Sequence, residues 1–194
     1  KEPGDVAVEC HHGIAGNGLP QEHRILDVAL GAEVEQAHLA GHEEHIHHGT
    51  EHTEHKHPLV LCLHGYGGKA EGYRPELIEV AKENGFALCY PQGEKAPKGK
   101  TGWNVGYPAQ EGMKTDDVDF VCDLVRHLQK TFKLSKLNTF YSGMSNGGEM
   151  CYILATQKPD MFSAYATIAG LTMEWLYKDY RPSKAVPIME VHGT

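Results

Sequence analysis

The fold is decided by one stretch of sequence, Thr139-Phe-Tyr-Ser-Gly-Met-Ser145-Asn-Gly-Gly148. Within it Gly143, Ser145 and Gly147 form a Gly-x-Ser-x-Gly pattern that follows a predicted strand and opens a predicted helix. A sharp turn at such a junction lifts the serine hydroxyl out of a sheet, and side chains at the two flanking positions would collide with neighbouring backbone. The pattern therefore predicts Ser145 as a nucleophile; the alternative is an ordinary turn serine.

Strands and helices alternate on both sides of this stretch. Continuous apolar runs predict strands that are buried on both faces, and runs with helical spacing lie between them. The predicted strands cover 59–63, 86–90, 137–141, 163–169 and 186–191. The predicted helices cover 75–84, 146–157, a short segment at 172–180, and a segment capped by Thr115 whose apolar stripe reaches Phe132. This order predicts the α/β class, with a mostly parallel central sheet and helices on both faces.

A glycine-rich loop, His64-Gly65-Tyr66-Gly67-Gly68, directly follows the first of these strands. Acyl transfer needs two N–H donors aimed at the oxygen on which negative charge develops. One is expected from Asn146, the residue after the nucleophile, and the other from Tyr66. The alternative is a plain glycine-rich turn. We expect His64 to orient this loop rather than to act as the catalytic base.

Composition excludes several other classes of protein. The 194 residues carry 18 Lys and Arg against 26 Asp and Glu, a net charge of −8, which argues against nucleic acid as a partner. Apolar runs are all shorter than the ~18 residues of a membrane span, so no membrane partner is expected. The five cysteines form no Cys-x-x-Cys pair. Two of them, Cys62 and Cys89, lie within apolar runs and are predicted to be core residues.

The chain divides into two unlike parts at Pro58. Residues 1–57 hold 11 of the 14 histidines and are predicted to be poorly structured, apart from a weak strand at 24–30. The histidine-rich tract at 38–57 has side chains that suit zinc, copper or nickel, but it offers no rigid frame for convergent ligands. We therefore predict no metal site and interpret the tract as a solvated tail. Residues 58–194 form the predicted α/β domain.

From Pro58 onward the sequence resembles the α/β-hydrolase superfamily, and within it the esterases related to polyhydroxybutyrate depolymerases and to feruloyl and acetylxylan esterases. The matching pieces are Pro58-Leu-Val-Leu-Cys-Leu-His-Gly65, Tyr90-Pro-Gln92, Gly102-Trp103-Asn104, Asp116-Asp117-Val118-Asp119-Phe120, Ser142-Gly-Met-Ser145-Asn-Gly-Gly148, Phe162-Ser-Ala-Tyr165, Ala169-Gly170 and Val191-His-Gly-Thr194. The resemblance implies hydrolysis of carboxylic esters by a Ser–His–Asp triad, with no metal or organic cofactor. The substrates implied are small esters, esters carried by polysaccharides, or hydroxyalkanoate esters.

The resemblance also assigns roles to individual residues. It makes Ser145 the nucleophile and gives the oxyanion N–H groups to Tyr66 and Asn146. It places Trp103 near the rim of the substrate pocket; the alternative is a tryptophan that packs beneath a long loop. We expect Asp117 to be structural, as a residue at the start of a helix.

The end of the chain departs from the family pattern. In the family an acidic residue follows the His-Gly-Thr that ends here at Thr194, and the base histidine follows one strand later. The resemblance thus implies that the triad acid and base, a last strand and a covering helix lie beyond Thr194, and that residues 1–194 form an inactive fragment. It favours a secreted or periplasmic location and leaves ester specificity and oligomeric state open. The alternative function is metal binding by tract 38–57 on an incomplete hydrolase scaffold.

Overall fold

The computed structural model describes residues 6–8, 26–29, 56–70 and 75–193. The strands are β1 (Val6–Val8), β2 (Leu26–Ala29), β3 (Leu59–Leu63), β4 (Ala87–Pro91), β5 (Glu94–Lys95), β6 (Thr101–Gly102), β7 (Thr139–Met144), β8 (Ala164–Ile168) and β9 (Ile188–Val191). The helices are α1 (Pro75–Asn84), α2 (Asp117–Thr131), α3 (Asn146–Gln157) and α4 (Glu174–Asp179), with a 3-10 turn at Pro108–Gln110.

Seven strands form one sheet in the order β1-β2-β4-β3-β7-β8-β9. The five from β4 to β9 in this order are mutually parallel, whereas β2 and β1 are added antiparallel beside β4. The predicted α/β class with a mostly parallel sheet is thus confirmed. In register, Leu63 of β3 pairs with Gly143 of β7, which pairs with Thr167 of β8. The loops that follow these three strands therefore leave the same edge of the sheet side by side.

The sheet separates two apolar clusters. Alternate residues of β3 contribute to opposite sides, because successive side chains of a strand point to opposite faces. Leu59, Leu61 and Leu63 pack with residues of α2 and α3, whereas Cys62 packs with Ala81 of α1. Helices thus cover both faces of the sheet, as predicted.

Most predicted element boundaries lie close to the observed ones. Two predicted helices, 75–84 and 146–157, match α1 and α3 at both ends. The predicted cap of α2 is wrong: the N-cap is Asp116 rather than Thr115. The Asp116 side chain accepts a hydrogen bond from the backbone N–H of Asp119 at 2.9 Å, which satisfies one of the free donors of the first turn. The predicted strand at 137–141 begins instead at Thr139, because Leu137 is 83% exposed.

The N-terminal part contributes two strands to the described structure. The predicted weak strand at 24–30 contains β2, whereas β1 was not predicted because three residues carry no readable periodicity. Most of the histidine-rich tract, 38–55, lies outside the described residues. The division of the chain at Pro58 therefore stays a prediction.

Two further expectations concern the membrane and the cysteines. Within the described ranges, no helix combines the length and the apolar character that crossing a membrane requires. The cysteines of these ranges, Cys62, Cys89, Cys122 and Cys151, are buried, which confirms the predicted core positions of the first two. Burial raises the pKa of Cys62 and that of Cys151 to about 12.

Replacing the observed cap of α2 tests the corrected helix boundary. We expect Asp116→Ala to lower the free energy of unfolding by about 1 kcal/mol, because it removes the hydrogen bond to Asp119 N–H. Urea denaturation measures this loss. Asp123→Ala is the matched control: it removes a carboxylate of the same helix, in an exposed pair with Arg126, and is expected to cost less. If Asp123→Ala lowers the free energy of unfolding as much as Asp116→Ala does, Asp116 is not the N-cap of α2.

Candidate active site

Ser145 occupies a strained turn between β7 and α3. Its backbone has φ 51° and ψ −116°, in a region that residues with a Cβ rarely adopt, at a cost on the order of 1–3 kcal/mol. Two backbone hydrogen bonds hold the turn: Ser145 N–H donates to Ile168 O, and Glu149 N–H donates to Ser145 O, both at 2.8 Å. The side chain is half-buried. Strain at a partly exposed serine is the geometry that the Gly-x-Ser-x-Gly pattern predicts for a nucleophile.

The glycines on either side of Ser145 are required by close backbone contacts. A Cβ on Gly143 would lie 2.3 Å from Gly147 O, and a Cβ on Gly147 would lie 2.3 Å from Leu63 O. Real Cβ atoms do not approach that closely, and neither obstacle is a side chain that could rotate away. The prediction that side chains at these two positions would collide with neighbouring backbone is therefore confirmed.

The loop 64–68 lies beside this turn. A Cβ on Gly65 would lie 3.4 Å from Ser145 Cβ, which is the distance of ordinary contact. Among residues 56–70 and 75–193, the backbone N–H groups of Tyr66 and Asn146 have no hydrogen-bond acceptor. The structure thus brings the predicted nucleophile and the two predicted oxyanion donors into one region; the roles themselves stay predictions.

The side chain of His64 holds the loop 64–68 in place through hydrogen bonds. The imidazole is buried, and its Nε2 accepts hydrogen bonds from Gly93 N–H at 2.9 Å and from the Gln92 side chain at 3.1 Å. Because a backbone N–H only donates, Nε2 must carry the lone pair. The ring proton is then on Nδ1, which donates to Gly65 O at 2.8 Å. The imidazole thus connects the loop 64–68, through Nδ1, to Gln92 and Gly93, through Nε2, in agreement with the expected orienting role.

Trp103 is not at a pocket rim. Its side chain is fully buried, and its indole Nε1–H donates to His64 O at 2.9 Å. The backbone of Trp103 also forms a reciprocal pair with the buried Asn146 side chain: Trp103 N–H donates to Oδ1 at 2.7 Å, and Trp103 O accepts from Nδ2 at 3.0 Å. The alternative, a tryptophan packed beneath the long loop, describes this residue. The indole has no exposed surface in the described residues, and contact of Trp103 with a substrate stays a prediction.

Two buried polar side chains brace the loop that carries Trp103. Asp117, at the start of α2, accepts a hydrogen bond from Asn104 N–H at 2.7 Å and is structural, as expected. Gln110 accepts from two loop N–H groups at 3.0 Å and donates to Trp103 O at 2.6 Å. The sequence analysis missed Gln110, because a glutamine in a long loop has no local pattern that marks it.

A second missed feature is a hydrogen bond between Tyr107 and Glu149. The Tyr107 hydroxyl donates to Glu149 Oε2, and the Tyr107 ring meets the Tyr66 ring edge-on with centroids 5.6 Å apart. Burial, followed by the hydrogen bond to Glu149 and its charge, raises the pKa of Tyr107, so its hydroxyl stays protonated and remains a donor. Both side chains are half-buried.

Among residues 56–70 and 75–193, Ser145 has no hydrogen-bonded histidine that could act as its general base. No hydrogen bond joins Ser145 to any histidine in residues 56–70 and 75–193. Apart from His64, these histidines contact Gly85 O (His57, 2.9 Å), Thr131 Oγ1 (His127, 3.4 Å) and Glu190 Oε1 (His192, 2.7 Å). Nor does this part of the chain contain three His, Cys, Asp or Glu side chains grouped to hold a metal ion. The tract 38–57, on which the alternative metal-binding function depends, lies almost entirely outside the described residues.

Comparison with known proteins supplies the family. The model of the esterase PHB depolymerase family matches residues 47–184. The chain belongs to this family. The match begins within the histidine-rich tract, upstream of the resemblance noted at Pro58, and it includes the Ser145 turn, the loop 64–68 and the loop that carries Trp103.

Individual relatives are consistent with the family. A putative esterase, NocK, of Nocardia uniformis is 31% identical over 70% of this chain, and the bifunctional acetylxylan esterase/xylanase XynS20E of Neocallimastix patriciarum is 28% identical over 71%. The chain spans only 39% and 19% of the lengths of these two proteins. Among solved structures, the fluorophosphonate-binding serine hydrolase F of Staphylococcus aureus superposes with a TM-score of 0.61 at 18% identity, over 91% of this chain and 60% of that one. This last similarity shows the α/β-hydrolase fold.

Replacing Trp103 tests whether its hydrogen bond to His64 O stabilises the fold around the candidate site. Trp103→Phe keeps an aromatic ring but leaves the buried His64 carbonyl without its donor, so we expect a loss of about 1–3 kcal/mol in the free energy of unfolding. Trp175→Phe is the matched control, because the indole of Trp175 also donates to a carbonyl, Val105 O at 3.1 Å, but from a partly exposed position. Guanidinium denaturation compares the two. An equal or larger loss at Trp175 would show that Trp103 is ordinary packing.

Proposed function

We propose that the protein hydrolyses carboxylic esters through an acyl-enzyme formed on Ser145. The observation that carries the proposal is the positive-φ turn at Ser145, at the carboxyl edge of a parallel sheet and in contact with the loop 64–68. Membership of the esterase family supports it independently. No other described serine combines a strained backbone, flanking glycines and partial exposure.

The proposed reaction has two steps. Ser145 Oγ attacks the ester carbonyl carbon, its proton passes to a general base and then to the leaving alcohol oxygen, and the C–O bond to that alcohol breaks. Water then attacks the acyl carbon and gives a proton to the same base. The bond between that carbon and Ser145 Oγ breaks, the base returns the proton to Oγ, and the carboxylic acid leaves. The N–H groups of Tyr66 and Asn146 stabilise the negative oxygen formed in both steps.

The fixed loops explain why this arrangement suits such a reaction. An oxyanion site is effective when its donors do not reorganise as charge develops. The Asn146 side chain is held by the Trp103 backbone, and the loop 64–68 is held by the imidazole of His64 and by the Trp103 indole. Both proposed donors therefore belong to segments anchored in the core.

The proposed substrates are esters carried by polysaccharides or hydroxyalkanoate-type esters. The support comes from the family and from the acetylxylan esterase/xylanase among the relatives. A substrate panel distinguishes these classes: acetylated xylan, a feruloylated arabinose ester and an oligomer of hydroxybutyrate. A preference of at least tenfold in kcat/KM for one of them assigns the class, and hydrolysis of only short nitrophenyl esters would contradict all three.

Removal of the nucleophile tests the reaction itself. We expect Ser145→Ala to abolish hydrolysis of 4-nitrophenyl acetate, and to abolish covalent labelling by a fluorophosphonate probe followed by mass spectrometry, with no loss of folded structure by circular dichroism. Ser142→Ala is the matched control: it removes a hydroxyl from the adjoining strand and should keep both signals. Turnover retained by Ser145→Ala would exclude this serine as the nucleophile.

A further inference from the structure

Glu149 lies one helical turn beyond the proposed nucleophile. Its backbone N–H donates to Ser145 O at 2.8 Å, which fixes the two residues at i and i+4. Side chains on a helix lean toward its N-terminus, so that of Glu149 leans over the turn that contains Ser145 and Asn146. A carboxylate thus stands at the entrance to α3, beside the proposed site of reaction.

Tyr107 links this carboxylate to the side chains of Tyr66 and Asn146, the two residues whose N–H groups are the proposed oxyanion donors. Its hydroxyl donates to Glu149 Oε2, its ring contacts that of Tyr66, and the Asn146 side chain is close enough to Tyr107 to influence the pKa of its hydroxyl. One oxygen of Glu149 is therefore engaged. The other, Oε1, has no hydrogen-bond donor among residues 56–70 and 75–193, and the side chain is only half-buried.

We propose that the Tyr107–Glu149 pair binds a hydroxyl group of the substrate, and so selects esters of polyhydroxylated alcohols such as a sugar ring. A carboxylate is an acceptor with two oxygens, and hydrogen bonds to a charged acceptor are stronger than those between neutral groups. A hydroxyl next to the ester oxygen donates to Oε1, while the Tyr107 hydroxyl holds Oε2 and fixes the orientation of the carboxylate. This inference rests on the proposed function at Ser145.

The competing explanation is purely structural. The bond between Tyr107 and Glu149 also fastens the loop 92–111 to α3, and a fastener would support every substrate equally. A hydroxyl-binding pair affects only substrates that carry the hydroxyl. Substrate discrimination, rather than activity alone, separates the two explanations.

The experiment compares two acetate esters of similar shape, a monoacetylated methyl xyloside and cyclohexyl acetate, which lacks the ring hydroxyls. We expect Glu149→Gln to lower kcat/KM for the xyloside roughly tenfold, mainly through KM, and to change that for cyclohexyl acetate less than about twofold. We expect Tyr107→Phe to change the same ratio in the same direction by a smaller factor. Glu79→Gln, which removes an exposed carboxylate on α1, is the control and should leave both esters unchanged.

An equal fall for both esters, or no change for either, overturns the hydroxyl-binding role. Should the wild-type protein hydrolyse neither ester, the proposed function fails, and binding then decides the inference. Saturation-transfer NMR measures binding of methyl xyloside to the wild type and to Glu149→Gln. A signal lost in the variant supports the pair as a hydroxyl-binding subsite, and equal or absent signals in both proteins overturn it.

Discussion

The edge of the sheet that carries the candidate site depends on an approach between backbones that only glycine permits. At Gly147 the first turn of α3 lies so close to the end of β3 that any side chain would overlap Leu63 O, and Gly143 stands in the same relation to Gly147 O. Because no side chains intervene, the end of β3, the turn at Ser145 and the start of α3 occupy one small volume. Direct contact between backbone atoms therefore sets the relative positions of Ser145 and the loop 64–68, and no side-chain rotation can change them.

A single buried residue, Trp103, connects the start of α3 to the loop 64–68. Trp103 holds Asn146 through its backbone and His64 through its indole, and Gln110 in turn holds Trp103. The irregular loop 92–111 is thus as much a part of the site as the strands are. Buried polar networks of this kind specify one geometry when each member finds its partner. A segment whose regular structure is limited to two short strands and a 3-10 turn can for that reason hold neighbouring residues in fixed positions.

The sequence predicted what local patterns encode. Continuous apolar runs located β3 and β4, Gly85 located the end of α1, and the glycines around Ser145 located the turn. The hydrogen bonds that hold the candidate site together join residues about 40 positions apart in the sequence. The pairing of Trp103 with Asn146 spans 43 positions and that of Tyr107 with Glu149 spans 42. No periodicity or capping rule relates such positions, so the sequence alone indicates neither the hydrogen bonds of Trp103 nor the pairing of Tyr107 with Glu149.

The buried cysteines described above have a practical consequence for following the protein's integrity. Cys62 and Cys151 are enclosed in the core, and with pKa values of about 12 they hold almost no thiolate at neutral pH. Thiolate is the form that reacts with alkylating reagents. In the native protein these thiols therefore do not react with maleimides. Cys62 becomes reactive when α1 separates from the sheet, and Cys151 becomes reactive when α3 does. The rate at which each of the two cysteines is modified therefore measures how often the core opens on its side of the sheet.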